Sequence, residues 1–332
     1  PLATREPAAL AAEREALATA VLYEQYLQWQ LDAQWQAARR AAAAHGVRIY
    51  GDVPFVVDTA SADVWARAHE FFLDLTAGVP PDAFSATGQD WGLPVYRWDV
   101  IAAGGFDWMR QRARRAAALF DGIRVDHLVG FFRTYARDGS GQAWFTPSDE
   151  HTQRWQGEQI IAAARSSGLH VLAEDLGVIP DFVRGTLAAL DVPGYKVLRW
   201  ERDYHAPGQP YLDPAAFPAV SVAATGTHDT ETVAEWFDQL PAHERMAVAG
   251  TISHFDEHVR DVLLTRALGA GSAQAFLPMQ DLFGWRDRVN TPGTVSDHNW
   301  TWRLPWPIDA WPATPVACER AAFCRRTIAA LA

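Results

Sequence analysis

GIRVDHLVGF (122–131) and LHVLAEDLG (169–177) are apolar runs of strand length, each reaching charged residues at its C-terminal side, with a helix-patterned segment, 152–167, between them. The same rhythm continues in both directions. VRIYGDVPFVVD (47–58) is a buried-strand pattern ahead of them. GYKVLRW (194–200), AVSVAATGTHD (219–229) and the strand-like AQAFLPMQDLFG (273–284) follow. Helical segments are predicted over 8–44, from Ser61 through Phe72, from Asp107 to Phe120, from Pro180-Asp181 onward, from Thr230 to Leu240 and over 315–331. Near-continuous apolar strands alternating with helices indicate a parallel sheet covered on both faces. Six such strands, with no GxGxxG after the first, favour a (β/α)8 TIM-type barrel over a doubly wound sheet.

Composition narrows the function classes. The 332 residues carry 29 Lys+Arg against 40 Asp+Glu, a formal net charge of −11, and 49% are hydrophobic. An acidic chain of this kind argues against nucleic acid and against anionic membrane surfaces as partners. Lys196 is the sole lysine and no Gly-Lys pair exists, which removes the P-loop. Cys318 and Cys324 are too few for a Cys-rich zinc site or a disulfide framework, so a reducing, cytoplasmic setting is expected. The 15 Trp are far more than usual, and flat rings suit both core packing and stacking on ligands with apolar faces, sugars among them.

In a parallel barrel the active site lies at the C-terminal ends of the strands. Asp52, Asp126, Glu174 and Asp229 each end an apolar run, which predicts four carboxylates at one rim. Any one alone is more often a helix cap or a loop residue. Together they suit a divalent metal or glycoside chemistry, with one carboxylate as nucleophile and one, of raised pKa, as general acid. Arg124, two residues before Asp126 and on the same strand face, would hold that carboxylate ionised. His127 and His228 flank two of the carboxylates and could donate to sugar hydroxyls or ligate a metal. Lys196, on a predicted strand, could form a Schiff base or simply an ion pair. His254 and His258 stand four apart on a helical stretch, without the His-Glu-x-x-His pattern.

Read in order, RIYGDVPFVVD (48–58), AGVPPDAFSATGQDWG (77–92), GIRVDHLVGF, LAEDLG (172–177), GTHDTET (226–232), PMQDLFG (278–284), NTPGT (290–294) and NWTWRLP (299–305) resemble the amylomaltase family, the 4-α-glucanotransferases of the α-amylase clan. The resemblance implies retaining transfer of α-1,4-glucan segments between maltodextrins, with α-glucan hydrolysis or a non-catalytic, partner-dependent sugar-binding remnant as the alternatives, maltooligosaccharides, starch or glycogen as partners, and neither metal nor organic cofactor required. It implies Asp126 as nucleophile, Glu174 as general acid/base and Asp229 as the transition-state carboxylate. Asp52, Arg124, His127, His228, Phe84, Gln89 and Trp91 are implied as substrate-binding. The family often has an aromatic pair where Ala83-Phe84 stands here, and an Asn where Leu93 stands.

By the same resemblance, residues 1–332 are expected to be a single catalytic barrel domain lacking its N-terminal strands, supplying roughly strands three to eight. Residues 76–106, read as a functional loop, and 230–270 are expected as inserted subdomain segments. The missing N-terminal segment, or a homo-oligomer, is the expected protein partner.

Overall fold

The computed structural model describes residues 1–81 and 87–331, so Phe84 and its neighbour Ala83 lie outside the described residues. The fold is mixed α/β, and the chain divides into two compact units, Pro1–Val192 and Pro193–Ala332.

The first unit holds β1 (Tyr50–Val53), β2 (Phe71–Val79), β3 (Gln89–Tyr96), β4 (Gly122–Val125), β5 (Thr134–Arg137), β6 (Ala143–Thr146) and β7 (His170–Ala173). β4 lies between β1 and β7, parallel to both, with Asp52 level with Arg124 and Arg124 level with Leu172. Ile123, Val125 and Val171 from these strands pack with Met109, Ile160 and Ile161 from the helices Asp107–Leu119 and Glu150–Arg165. That burial, at ~25 cal/mol per Å2 of apolar surface, is the main force fixing the sheet.

Several boundaries depart from the sequence pattern. The parallel strands of this unit are four residues long in place of the nine to twelve that the apolar runs suggest, ending at Val53, Val125 and Ala173. The segment 76–106 is no loop throughout. β2 and β3 pair antiparallel, and with β5 and β6 they make a second sheet in the order β3-β2-β5-β6. Phe71 and Phe72 open β2 where a helix was expected, since the helix begun at Ser61 is short (Ala62–Ala66). Ser61 does cap it, accepting from the Val64 N–H at 3.2 Å. Phe106, in the left-handed conformation, and not Asp107, occupies the cap of the next helix.

The long helix Ala18–Ala44 is fastened through its C-terminal half. Trp35 Nε1, Gln36 Nε2 and Arg39 donate to the last carbonyls of Asp107–Leu119 and its exit, at 2.7, 2.8 and 2.9 Å. These are the carbonyls a helix leaves unpaired at its end. Leu22, Tyr26 and Trp29, which share one face of this helix, are by contrast turned to solvent, 65%, 52% and 65% exposed.

The second unit contains β8 (Gly194–Val197), β9 (Ser221–Ala224) and β10 (Gln274–Phe276), with β9 central and all strands parallel. All four β9 residues are buried, as a strand covered on both faces requires. Val233, Phe237, Val248, Val259 and Leu263 form an adjoining helical core. The strand-like run 273–284 is a strand only to Phe276, because Pro278 opens a short helix, Met279–Phe283. The last helix, Pro315–Leu331, matches its expectation.

Candidate active site

In the first unit the strand ends place Asp52, Arg124, Asp126 and Glu174 together. The Arg124 guanidinium donates through one terminal nitrogen to both Asp52 oxygens, at 2.8 and 2.7 Å, and meets Asp126 Oδ1 through the other at 2.8 Å. Burial opposes its charge, but Asp126 and Asp52, with Glu174 beyond, hold the pKa above the ordinary arginine value. The side chain is 13% exposed, whereas Asp126 and Asp52 are 45% and 49% exposed. The cation is thus fixed from beneath, and the two carboxylates are open to a ligand above it.

Glu174 follows β7 and is buried. Its carboxyl accepts two backbone N–H bonds, from His127 to Oε2 at 2.9 Å and from Leu176 to Oε1 at 2.8 Å. Those bonds and Arg124 favour ionisation, yet burial outweighs them and pushes the pKa up to about 7. The direction is the one a general acid needs.

His127 reaches Glu174 through its backbone because its φ of 43 turns the chain directly after Asp126. Burial draws its imidazole down to about 4, against the pull of Asp126, so the ring is neutral at pH 7. Trp91 packs edge-on against that ring, centroids 4.9 Å apart, and Gln89 Oε1 accepts from Trp91 Nε1 at 3.2 Å. Gln89, Trp91 and His127 are thereby one group. Gly130 is needed beneath them: a Cβ there would lie 2.7 Å from the Phe55 ring and 2.9 Å from His127 Cδ2.

In the second unit, His228 and Asp229 ride on the turn after β9. His228 Nε2 stands 3.3 Å from Asp229 Oδ2, and Asn290 Nδ2 donates to Asp229 Oδ1 at 2.6 Å. Arg288 donates to the Asp229 carbonyl at 3.0 Å. Behind the turn, Arg199 donates to the Thr225 carbonyl at 3.0 Å and to the Glu231 carbonyl at 3.0 Å. Asp281, 1% exposed, accepts from Thr225 Oγ1 at 2.5 Å and from the Val233 N–H at 2.7 Å. A cation and an anion therefore grip the two ends of the segment that presents His228 and Asp229. Gly226 allows this approach, since a Cβ would come within 2.6 Å of Thr230 Oγ1.

Asn290, Arg288, Arg199 and Asp281 were not singled out as site residues from sequence. Asn290 and Asp281 do fall within stretches that carry the family resemblance, which is the signal that could have flagged them. Lys196 pairs with Glu201 at 2.9 Å, the simple ion pair among its two readings. His254 precedes the helix Glu257–Leu268 and bonds Asp238, so the two histidines do not share a helical face.

Residues 1–309 match the family model described as 4-alpha-glucanotransferase. The chain belongs to that family. It is 36% identical over 331 residues to the 4-alpha-glucanotransferase of Synechocystis sp., covering 93% of this chain and 63% of the relative. It is 37% identical over 328 residues to that of Thermus thermophilus, covering 92% and 63%. Among solved structures, the amylomaltase from Streptococcus agalactiae in complex with acarbose superposes with a TM-score of 0.85 at 28% identity, covering 98% of this chain and 66% of that one. The Corynebacterium glutamicum amylomaltase, at 22% identity and TM-score 0.80, shares the fold. The chain thus spans just under two thirds of the length of the first two relatives of this family.

Proposed function

We propose that the chain carries the carboxylates for retaining transfer of α-1,4-glucan segments between maltodextrins. The parallel strand–helix alternation in both units is read as part of a (β/α)8-type barrel, as the family resemblance implies. An Asp126 oxygen attacks the anomeric carbon, the glycosidic C–O bond breaks, and Glu174 gives its proton to the departing oxygen. An acceptor 4-hydroxyl then passes its proton to Glu174 and attacks the same carbon, releasing Asp126. Asp229 is assigned the stabilisation of the transition state. Asp52, Arg124, His127, Gln89, Trp91 and His228 are assigned contacts to the sugars, and Phe84 is assigned one on resemblance alone.

The observation that carries this reading is the contrast between two neighbouring carboxyls. Burial pushes Glu174 up to about 7, so it can hold the proton for the first step, while Asp126 is salt-bridged to Arg124 and exposed for attack. A buried carboxyl that can hold a proton, beside one that is exposed and paired with an arginine, is what an acid and a nucleophile require.

The test is product analysis with maltotriose. Transfer yields glucose plus oligomers longer than the substrate, with no rise in total reducing ends. Net growth of reducing ends without longer products would mean a hydrolase. Asp126→Asn should lower turnover on the order of 10^3-fold or more and abolish the trapped glycosyl-enzyme, with little change in melting temperature.

A further inference from the structure

Trp300 is costly to place where it stands. Its backbone φ is 62, a left-handed conformation that a bulky residue seldom adopts. Its side chain is also 61% exposed, so the indole leaves much of its apolar surface in water. Neither cost is offset by packing in a core. Both are explained if the ring is held out for a ligand, since strained backbone persists where the surroundings over-determine it, commonly at binding sites.

The surroundings do over-determine it. The Trp300 N–H donates to the Val289 carbonyl at 2.8 Å, and the next residue, Asn290, donates its own N–H to the His228 carbonyl at 3.2 Å. The Asn290 side chain holds Asp229 Oδ1. Trp300, His228 and Asp229 therefore hang on one two-residue strip of backbone. Asn299 ties the intervening loop shut, accepting from the Thr291 N–H at 3.1 Å and donating to the Thr294 carbonyl at 3.1 Å. The Trp300 ring lies against His228, centroids 5.1 Å apart and tilted by 45°.

We infer that Trp300 is a sugar-stacking residue, its indole receiving the apolar face of a glucosyl unit next to the one served by His228 and Asp229. This rests on the glucan-transfer reading. A rigid aromatic face with a polar N–H at its edge matches a pyranose, which presents C–H bonds on its faces and hydroxyls at its rim.

The test measures maltoheptaose binding by calorimetry on the full chain carrying Asp126→Asn, to stop turnover, with Trp300→Ala, Trp300→Phe and Trp300→Gly added in turn. Trp300→Ala should weaken binding about tenfold, and Trp300→Phe should recover most of it. Trp300→Gly should weaken binding as Trp300→Ala does, yet melt at a higher temperature than Trp300→Ala, because glycine removes the left-handed strain. Equal affinity of Trp300→Ala and its parent would overturn the inference alone, and so would Trp300→Gly melting below Trp300→Ala. Absence of glucan binding by the parent would overturn the transfer reading, and this inference with it.

Discussion

Glu174 sits where desolvation and hydrogen bonding pull in opposite directions. Two backbone N–H groups and Arg124 favour its ionised form, and burial wins, leaving the pKa about 7 against an ordinary 4.5. The folded chain therefore holds this proton over a pH range in which the unfolded chain has released it. Stability from this group is fully present below about pH 4.5 and is lost as pH rises to about 7, on the order of 3 kcal/mol at ~1.36 kcal/mol per unit. His127 works the other way over an overlapping window. Its folded pKa is about 4 against 6.5, so its neutral form adds stability as pH climbs between those values. Glu174→Gln separates the two. The variant should melt progressively above wild type as pH goes from 4.5 to 7, with a constant gap beyond; thermal melts at pH 4.5, 6 and 8 would show it. A gap independent of pH would mean that Glu174 keeps no proton. In the proposed mechanism the same proton serves the first step, so transfer should fall as pH rises through about 7, when that step loses its acid.

At the scale of elements, the strand ends were legible and their supports were not. An apolar run closing on a carboxylate is a local signal, and it located Asp52, Asp126, Glu174 and Asp229 from residue order alone. The salt bridge from Arg124 to Asp126 was readable for the same reason, two residues apart on one chain. The antiparallel pairing of β2 with β3 was not: FFLDLTAGV carries no clean alternation, and the Pro80-Pro81 step that follows reads as loop. Nor were the contacts of Asn290 and Asp281 with the Asp229 turn, which join positions 61 and 48–56 residues apart with no periodicity to announce them. The Asp281 grip yields a prediction at this scale. Asp281→Ala strips a partner from the buried Val233 N–H and the Thr225 hydroxyl, each worth roughly 1–3 kcal/mol when orphaned. Urea denaturation should show a loss of that order, and turnover should fall further than the unfolded fraction explains, because Asp229 loses its fixed mount. Asp281→Asn, which can still accept from Thr225 or Val233, should recover part of both. Full turnover in folded Asp281→Ala would show that the turn holds its geometry without this grip.

For the molecule as a whole, the acidic surface, a net −11, suits an uncharged polymer ligand better than a polyanion. Glucan recognition then depends on hydroxyl contacts and stacking, which are weakly sensitive to salt, whereas a polyanion site would be strongly so. A ligand bound only by the folded chain raises its stability by RT ln(1 + [L]/Kd), about 2.7 kcal/mol at a hundredfold excess over Kd. Maltoheptaose should therefore raise the melting temperature in a concentration-dependent way, nearly equally at low and at 0.5 M salt. Asp126→Asn should be protected as well as wild type, because it removes the attacking charge and leaves the stacking rings and neutral donors in place. Protection together with transfer in wild type, and protection without transfer in Asp126→Asn, separates the enzyme from a glucan-binding protein that performs no chemistry. Protection that collapses as salt is raised would instead point to a charged ligand, and a flat melting temperature across maltoheptaose concentrations would remove the glucan from the account.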